Sequence, residues 1–312
     1  YQAGLNLSSG TDSVYVGYKA GGVGVITGTH NVVVGKGAFL EATSGNASVF
    51  VGIDAGGQTT AGGRSAPITG ASNTCVGYGT GYDLTSGHSN VLLGRDAGAN
   101  FTDNHNNIAI GKGALDAAAA GELYNVAIGT DAMGAENGNA NYCTAVGYNT
   151  LLLQNGNVKN TAIGGLAGDA IVGGNDNTLV GYLSGSAIVD TPGNTAVGQM
   201  SYAKGTGSYN TVFGAYAGSS IENTSTAMSG DSNVLLGYAA GYKITDGPGN
   251  VLIGRDAGKA MTTGDYNVAI GFQAADTLVG AANDNIAIGA NALAGEDISQ
   301  NCIAIGTNAL LV

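Results

Sequence analysis

NIAIGKGA at 107–114 returns as NVAIGTDA at 125–132 and as NVAIGFQA at 267–274. Each instance sets three β-branched or small apolar residues between an Asn and a Gly, which is strand composition closed by a residue free to turn. Working outward, the closing glycine recurs as Gly17, Gly35, Gly52, Gly77, Gly94, Gly111, Gly129, Gly147, Gly164, Gly181, Gly198, Gly214, Gly237, Gly254, Gly271, Gly289 and Gly306. The spacing is nearly constant; only the steps from Gly52 to Gly77 and from Gly214 to Gly237 are longer. Such a period marks a solenoid. The unit is too short for a helix pair and too rich in Gly for heptads. It therefore reads as one turn of a parallel β-solenoid, with two short strands and two corners.

Column by column, the pattern is Asn-x-x-x-Gly-x-x-small. Asn stands four before the Gly in 13 of 17 units: Asn31, Asn73, Asn90, Asn107, Asn125, Asn160, Asn177, Asn194, Asn210, Asn233, Asn250, Asn267 and Asn285. Three after the Gly every unit has Ala, Ser or Thr. The residue one before the Gly is large and apolar, as at Ile110 and Phe213, whereas two before it ranges from Ala109 to Leu252. That alternation places one strand face inside the coil and the other on a second, tighter surface. A higher repeat is also present. NVLLGRDAG at 90–98 returns as NVLIGRDAG at 250–258, and the two long intervals fall in matching coils. The chain thus reads as one repeat region, with super-repeats at about 1–164 and 165–312.

Composition agrees. The 312 residues include 56 Gly, 3 Pro and no Trp; 44% are hydrophobic and 10% charged. Collagen fails on period and Pro, disorder on hydrophobic share, and a membrane span on the lack of a long apolar run. With 10 Lys plus Arg against 22 Asp plus Glu, the formal net charge is -12, unsuited to nucleic acid or anionic lipid. Coils stacked at ~4.8 Å would make a rod roughly 80 Å long. A thin coil with an Ala and Gly face favours several chains side by side. The start at Tyr1 without Met or a leader pattern reads as a fragment or processed chain, and the uncapped strand at 303–305 as one that continues.

The unit NVAIGxxA resembles the head repeat of trimeric autotransporter adhesins of the YadA type. It is still more similar to the NTAVGYxAL repeats of phage and large-virus tail fibres, as in NTAVGQMS at 194–201 and NTCVGYGT at 73–80. The resemblance runs unit by unit along the chain and implies a homotrimeric, left-handed β-roll. Adhesin head units are usually shorter than the units of this chain, so these coils should have a larger outline. The resemblance also implies an extracellular setting, on a virion or a bacterial surface.

The function expected is a structural and adhesive segment of a trimeric fibre, foremost a tail-fibre shaft that positions a host-recognition tip. A bacterial surface adhesin or filament subunit is the alternative. An enzyme is not expected. Ile-Gly-x-x-Ala also fits the hexapeptide repeat of β-helix acyltransferases, but only one match occurs per coil where about three are needed. A catalytic histidine would have to be His30, His88 or His105, each in a polar loop.

The Asn column reads as a structural ladder, because a stacked amide both donates and accepts. The invariant small residue reads as room for close backbone packing. No cofactor or metal is expected: NDN at 175–177 and 283–285 and DNHNN at 103–107 read as solvated corners, and Cys75, Cys143 and Cys302 have no ligand-type spacing. Cys143 and Cys302 stand in the Asn column and read as small buried thiols. Arg95 with Asp96 and Arg255 with Asp256 read as exposed ion pairs between chains. Tyr18, Tyr78, Tyr148, Tyr182 and Tyr238 each follow their corner Gly, a placement for packing or for glycan contact. The extra ~8 and ~6 residues of the long intervals should loop outward, where Arg64, Glu222 and Asp231 are candidate contacts with a host glycan, a host protein or a neighbouring fibre.

Overall fold

The computed structural model describes residues 2–22, 25–57, 67–118, 120–135, 138, 140–156, 159–219, 227–295 and 300–310. Among these residues no helix forms; the regular structure consists of 17 three-residue strands, one per coil. The chain divides into two compact units, Tyr1–Lys159 and Asn160–Val312. Unit 1 holds β1 (Val14–Val16), β2 (Val32–Val34), β3 (Val49–Val51), β4 (Thr74–Val76), β5 (Val91–Leu93), β6 (Ile108–Ile110), β7 (Val126–Ile128) and β8 (Thr144–Val146). Unit 2 holds β9 (Thr161–Ile163), β10 (Thr178–Val180), β11 (Thr195–Val197), β12 (Thr211–Phe213), β13 (Val234–Leu236), β14 (Val251–Ile253), β15 (Val268–Ile270), β16 (Ile286–Ile288) and β17 (Ile303–Ile305). Within each unit every strand pairs in parallel with the next, and equivalent residues face each other: Ala109 lies beside Ala127, and Leu235 beside Leu252. Each unit is therefore a parallel β-solenoid.

Both ends of each strand are fixed by backbone conformation. The closing glycines have positive φ, from 124° at Gly306 to 145° at Gly35 and Gly77. At the other end the residue just before the Asn column is left-handed, as at Ser89 (59°), Asn106 (59°), Tyr124 (60°) and Ser232 (60°). Two further left-handed positions follow the Gly, two and four residues on, as in Asp131 with Met133 and Asn291 with Leu293. A left-handed non-glycine residue costs roughly 1–2 kcal/mol, so burial and bonds between coils must hold these turns.

The second side of the coil departs from the two-strand expectation. It carries turns and isolated parallel bridges, such as Leu7 to Ile26, His105 to Leu123 and Leu123 to Asn141, rather than a second regular strand. Coil-to-coil amide bonding nevertheless continues there: Thr85 N donates to Thr102 O at 2.9 Å and Thr245 N to Thr262 O at 2.8 Å. Rungs need only equivalent backbone positions in register, which exact stacking supplies without extended φ.

The core is a single file of side chains inside the coil. The middle residue of the strand points in and is buried in every strand from β2 to β17. Two recipes fill the space. Where the middle residue is Leu, the position four after the Gly is glycine and the position seven after it is large: Leu92, Gly98 and Phe101, or Leu179, Gly185 and Ile188. In most coils whose middle residue is Ala, the position four after the Gly takes the volume, as in Ala109, Leu115 and Ala118, or Ala196, Tyr202 and Gly205; Ala162 with Gly168 and Ile171, and Ala269 with Ala275 and Leu278, fill it from position seven instead. A Cβ on Gly185 would sit 2.7 Å from Leu179 Cδ2 and 2.9 Å from Ile188 Cδ1, so the large residues of that coil leave no room for a side chain at position four.

Candidate functional site

The Asn column lies at the corner where the chain enters each strand, directly after a left-handed residue, and all thirteen side chains are buried. Its geometry is repetitive. Asn250 Oδ1 accepts from Asn267 N at 2.9 Å, while Asn250 Nδ2 donates across the coil to Gly264 O at 2.8 Å. The same two contacts recur at Asn90, which accepts from Asn107 N at 3.0 Å and donates to Asn104 O at 2.7 Å. Amide-to-amide bonds join several steps, for instance Asn285 Nδ2 to Asn267 Oδ1 at 2.9 Å. Most Asn side chains thus supply an acceptor for a buried N–H of the next coil and a donor to a carbonyl of that coil, whereas Asn233 donates to Asn210 Oδ1 and Asp231 O.

Where Asn is missing, the substitute keeps part of this role. Ser48 Oγ accepts from Asn73 N at 3.1 Å, and Ser13 Oγ from Asn31 N at 2.9 Å. Cys143 is buried and receives Gln154 Nε2, whereas Cys302 is half-buried, unlike the buried thiol its column led us to expect, because no described coil covers that side of it. Cys75 occupies the inward middle position of β4, where burial pushes its thiol well above the usual range.

The corner glycines stack on one another. A Cβ on Gly94 would lie 2.6 Å from Gly111 O and 2.7 Å from Gly111 C, and equivalent approaches hold from Gly17 through Gly289 except across the unit boundary, where none is described. The small column three after the Gly is interior: Ala97, Ala114, Ala132, Ala257 and Ala274 are fully buried. The sequence reads this column as room for close backbone packing, and the structure encloses it within the coil. The outer face carries the large apolar residues flanking each strand's middle residue, including Val14, Val16, Leu93, Ile163, Phe213 (58% exposed) and Ile305 (66% exposed).

Polar and aromatic columns run along the outside. Arg95 Nε meets Asp96 Oδ2 at 2.9 Å and Arg255 Nε meets Asp256 Oδ2 at 3.2 Å, each pair joining sequence neighbours within the chain. Each arginine also lies over a tyrosine of the preceding coil, Arg95 over Tyr78 at 5.6 Å and Arg255 over Tyr238 at 5.9 Å. Tyr18, Tyr78, Tyr148, Tyr182 and Tyr238 are all exposed. His88 and His105 stack at 4.0 Å between ring centroids, and burial with the neighbouring His88 lowers the pKa of His105 although Asp103 opposes this. His30 is separate and lies 3.8 Å from Asp12.

Of the candidate contact residues, Arg64 and Glu222 lie outside the described residues. Asp231 is exposed at a corner, where its Oδ1 accepts from Ser208 N at 2.6 Å and its carbonyl from Gly249 N at 3.0 Å. Past the long intervals the chain rejoins the coil at once: Ile68 bridges Ala42 and Met228 bridges Gly205, both buried. Among the described residues no group of three or more His, Cys, Asp or Glu side chains is placed to hold a metal ion. No protein-family model matches the chain, and no curated protein matches it.

What sequence reading missed is a pair of matching clefts. In unit 1 a cleft of about 320 Å³ is lined by Asp54, Tyr78, Gly79, Tyr82, Asp96 and Ala99. In unit 2 one of about 290 Å³ is lined by Tyr216, Tyr238, Ala239, Tyr242 and Lys259. The signal was available in the super-repeat, which aligns Tyr78 with Tyr238, Tyr82 with Tyr242 and Ala99 with Lys259.

Proposed function

We propose that this chain is a segment of an extracellular trimeric fibre, a phage or virus tail-fibre shaft that spans distance and positions a host-recognition tip. The β-solenoid fold is compatible with a structural role. The observation that carries the finer reading is the outer apolar face of the strands. Isolated exposed hydrophobic residues need no explanation, but a column of Val, Ile, Leu and Phe renewed in successive coils is a continuous patch that calls for cover. A second copy of the same chain matches it best, since an identical solenoid presents identical residues at an identical spacing. Three such chains would bury the face around a common axis, as the resemblance to fibre repeats implies.

Sedimentation equilibrium tests this. The expected mass is three times the 30.5 kDa of one chain. Leu93→Glu with Ile128→Glu places charges on the outer face without touching the inward Leu92 or Ala127, and should dissociate the assembly. A folded monomer at micromolar concentration from the unaltered chain would refute the proposal.

A further inference from the structure

The two clefts occupy the same place in coils related by the super-repeat, yet their charge differs. In unit 2, Lys259 extends along the cleft, and its Nζ lies 3.2 Å from Asp256 Oδ1. Tyr216, Tyr238 and Tyr242 complete the wall, with Tyr216 edge-on to Tyr238 at 5.8 Å. Burial raises the pKa of Asp276, from the following coil; the charge of Asp256 adds to this and that of Lys259 opposes it. The unit 2 cleft therefore holds an alkylammonium group supplied by its own chain.

Unit 1 keeps two of the three tyrosines and the carboxylates and lacks the lysine. Tyr78, Tyr82, Asp96 and Asp116 match Tyr238, Tyr242, Asp256 and Asp276, but Ala99 stands where Lys259 does. The surroundings are also more acidic. Asp54 lines the unit 1 cleft at the position of Tyr216, and Asp131 takes the place of Asn291. The Asp96 side chain is 31% exposed against 5% for Asp256, so its carboxylate is open to the cleft. Cations already present are Arg95, paired to Asp96, and Lys36, which acts on Asp54; Arg255 repeats the first of these in unit 2. Asp116 is pushed up to about 6, by burial first and then by the charges of Asp131 and Asp96.

We propose that the unit 1 cleft binds an alkylammonium group from outside the chain, seated above Ala99 against the Asp96 carboxylate and the faces of Tyr78 and Tyr82. A tyrosine-lined cleft favours an organic cation because the ring faces attract positive charge while the walls contact the alkyl stem. A cleft near 300 Å³ lies at the small end of ligand pockets and suits one such headgroup. The source of the group is either a free diamine or the side chain of a lysine carried by a partner protein. The inference does not rest on the fibre reading.

The test is a titration of the full chain, carrying ¹³C-labelled tyrosine rings, with n-butylammonium chloride, followed by NMR. Saturable shifts are expected at Tyr78 and Tyr82, with Tyr238 and Tyr242 unmoved, and n-butanol should produce no such response. Asp96→Asn should weaken binding about tenfold, the change expected on losing one charge-assisted hydrogen bond. Ala99→Lys, which copies the unit 2 arrangement, should abolish the response by filling the site, and Lys259→Ala should make Tyr238 and Tyr242 responsive. Putrescine and Nα-acetyl-lysine amide, titrated in parallel, assign the source by which binds more tightly. The proposal is overturned if the unaltered chain shows no saturable shift, if butanol matches butylammonium, or if calcium chloride produces the same shifts at lower concentration.

Discussion

Replacing Gly94 with alanine tests the stacking of the corner column directly. Gly94 has φ of 130°, and a Cβ there would lie 2.6 Å from Gly111 O and 2.7 Å from Gly111 C. Both atoms belong to backbone held in register by β5 and β6, so neither can swing aside as a side-chain tip would. The sparsely populated backbone conformation costs about 1–3 kcal/mol and the forced displacement about another 1–3. Gly280 is the matched control, with φ of 63° and nothing within 4 Å of an added Cβ. Alanine there costs only the left-handed conformation, roughly 1 kcal/mol. A solenoid opens locally, so the readout is amide exchange at the bonds that bracket the site, Gly94 N to Val76 O at 2.9 Å and Gly111 N to Leu93 O at 2.8 Å, alongside urea denaturation. Gly94→Ala should speed exchange there by one to three orders of magnitude more than Gly280→Ala does at its own site. Equal effects of the two substitutions would refute the claim that coil-to-coil contact, rather than local conformation, demands glycine in this column.

Two further outcomes follow from the buried polar network. Asn250→Ala removes the acceptor of Asn267 N and the donor to Gly264 O, leaving two buried backbone groups unmet, and should cost about 2–4 kcal/mol in denaturation; Asn250→Ser, copying Ser48, should cost less because a hydroxyl can still accept the N–H. Stability should rise as pH falls from about 7 to about 4, since Asp116 has a pKa raised to about 6 in the fold and binds its proton more tightly there than when unfolded; the gain is lost as pH rises through about 6. Burial likewise raises Asp54, Asp169 and Asp276, so the direction is shared. Asp116→Asn should flatten the slope of melting temperature against pH over that window, and an unchanged slope would remove Asp116 as its source.

Much of this architecture is written along the chain because a solenoid converts sequence periodicity into spatial adjacency. Once the corner glycines recur at a nearly constant interval, equivalent residues of successive coils must lie side by side, and parallel in-register pairing follows. The strands, their boundaries at Asn and Gly, and the columns themselves could therefore be read from Asn107 to Ala114 and its copies. Other features could not. Period-two alternation says that Ala109 and Ile110 face opposite ways, but not which of them is enclosed; closure of the coil decides that, and it puts Ala109 inside with Ala114 and leaves Ile110 outside. The left-handed residues at Met133 and Leu293 lay hidden because the composition of their column follows core volume, Gly where the strand contributes Leu and in several coils a large residue where it contributes Ala, and not backbone preference. The clefts depend on the tertiary structure most of all. Their walls combine side chains from three successive coils, and the meaning of Ala99 emerges only when Lys259 is seen at the same place between the same tyrosines and carboxylate, because a charge takes its effect from neighbours that the chain brings together through stacking.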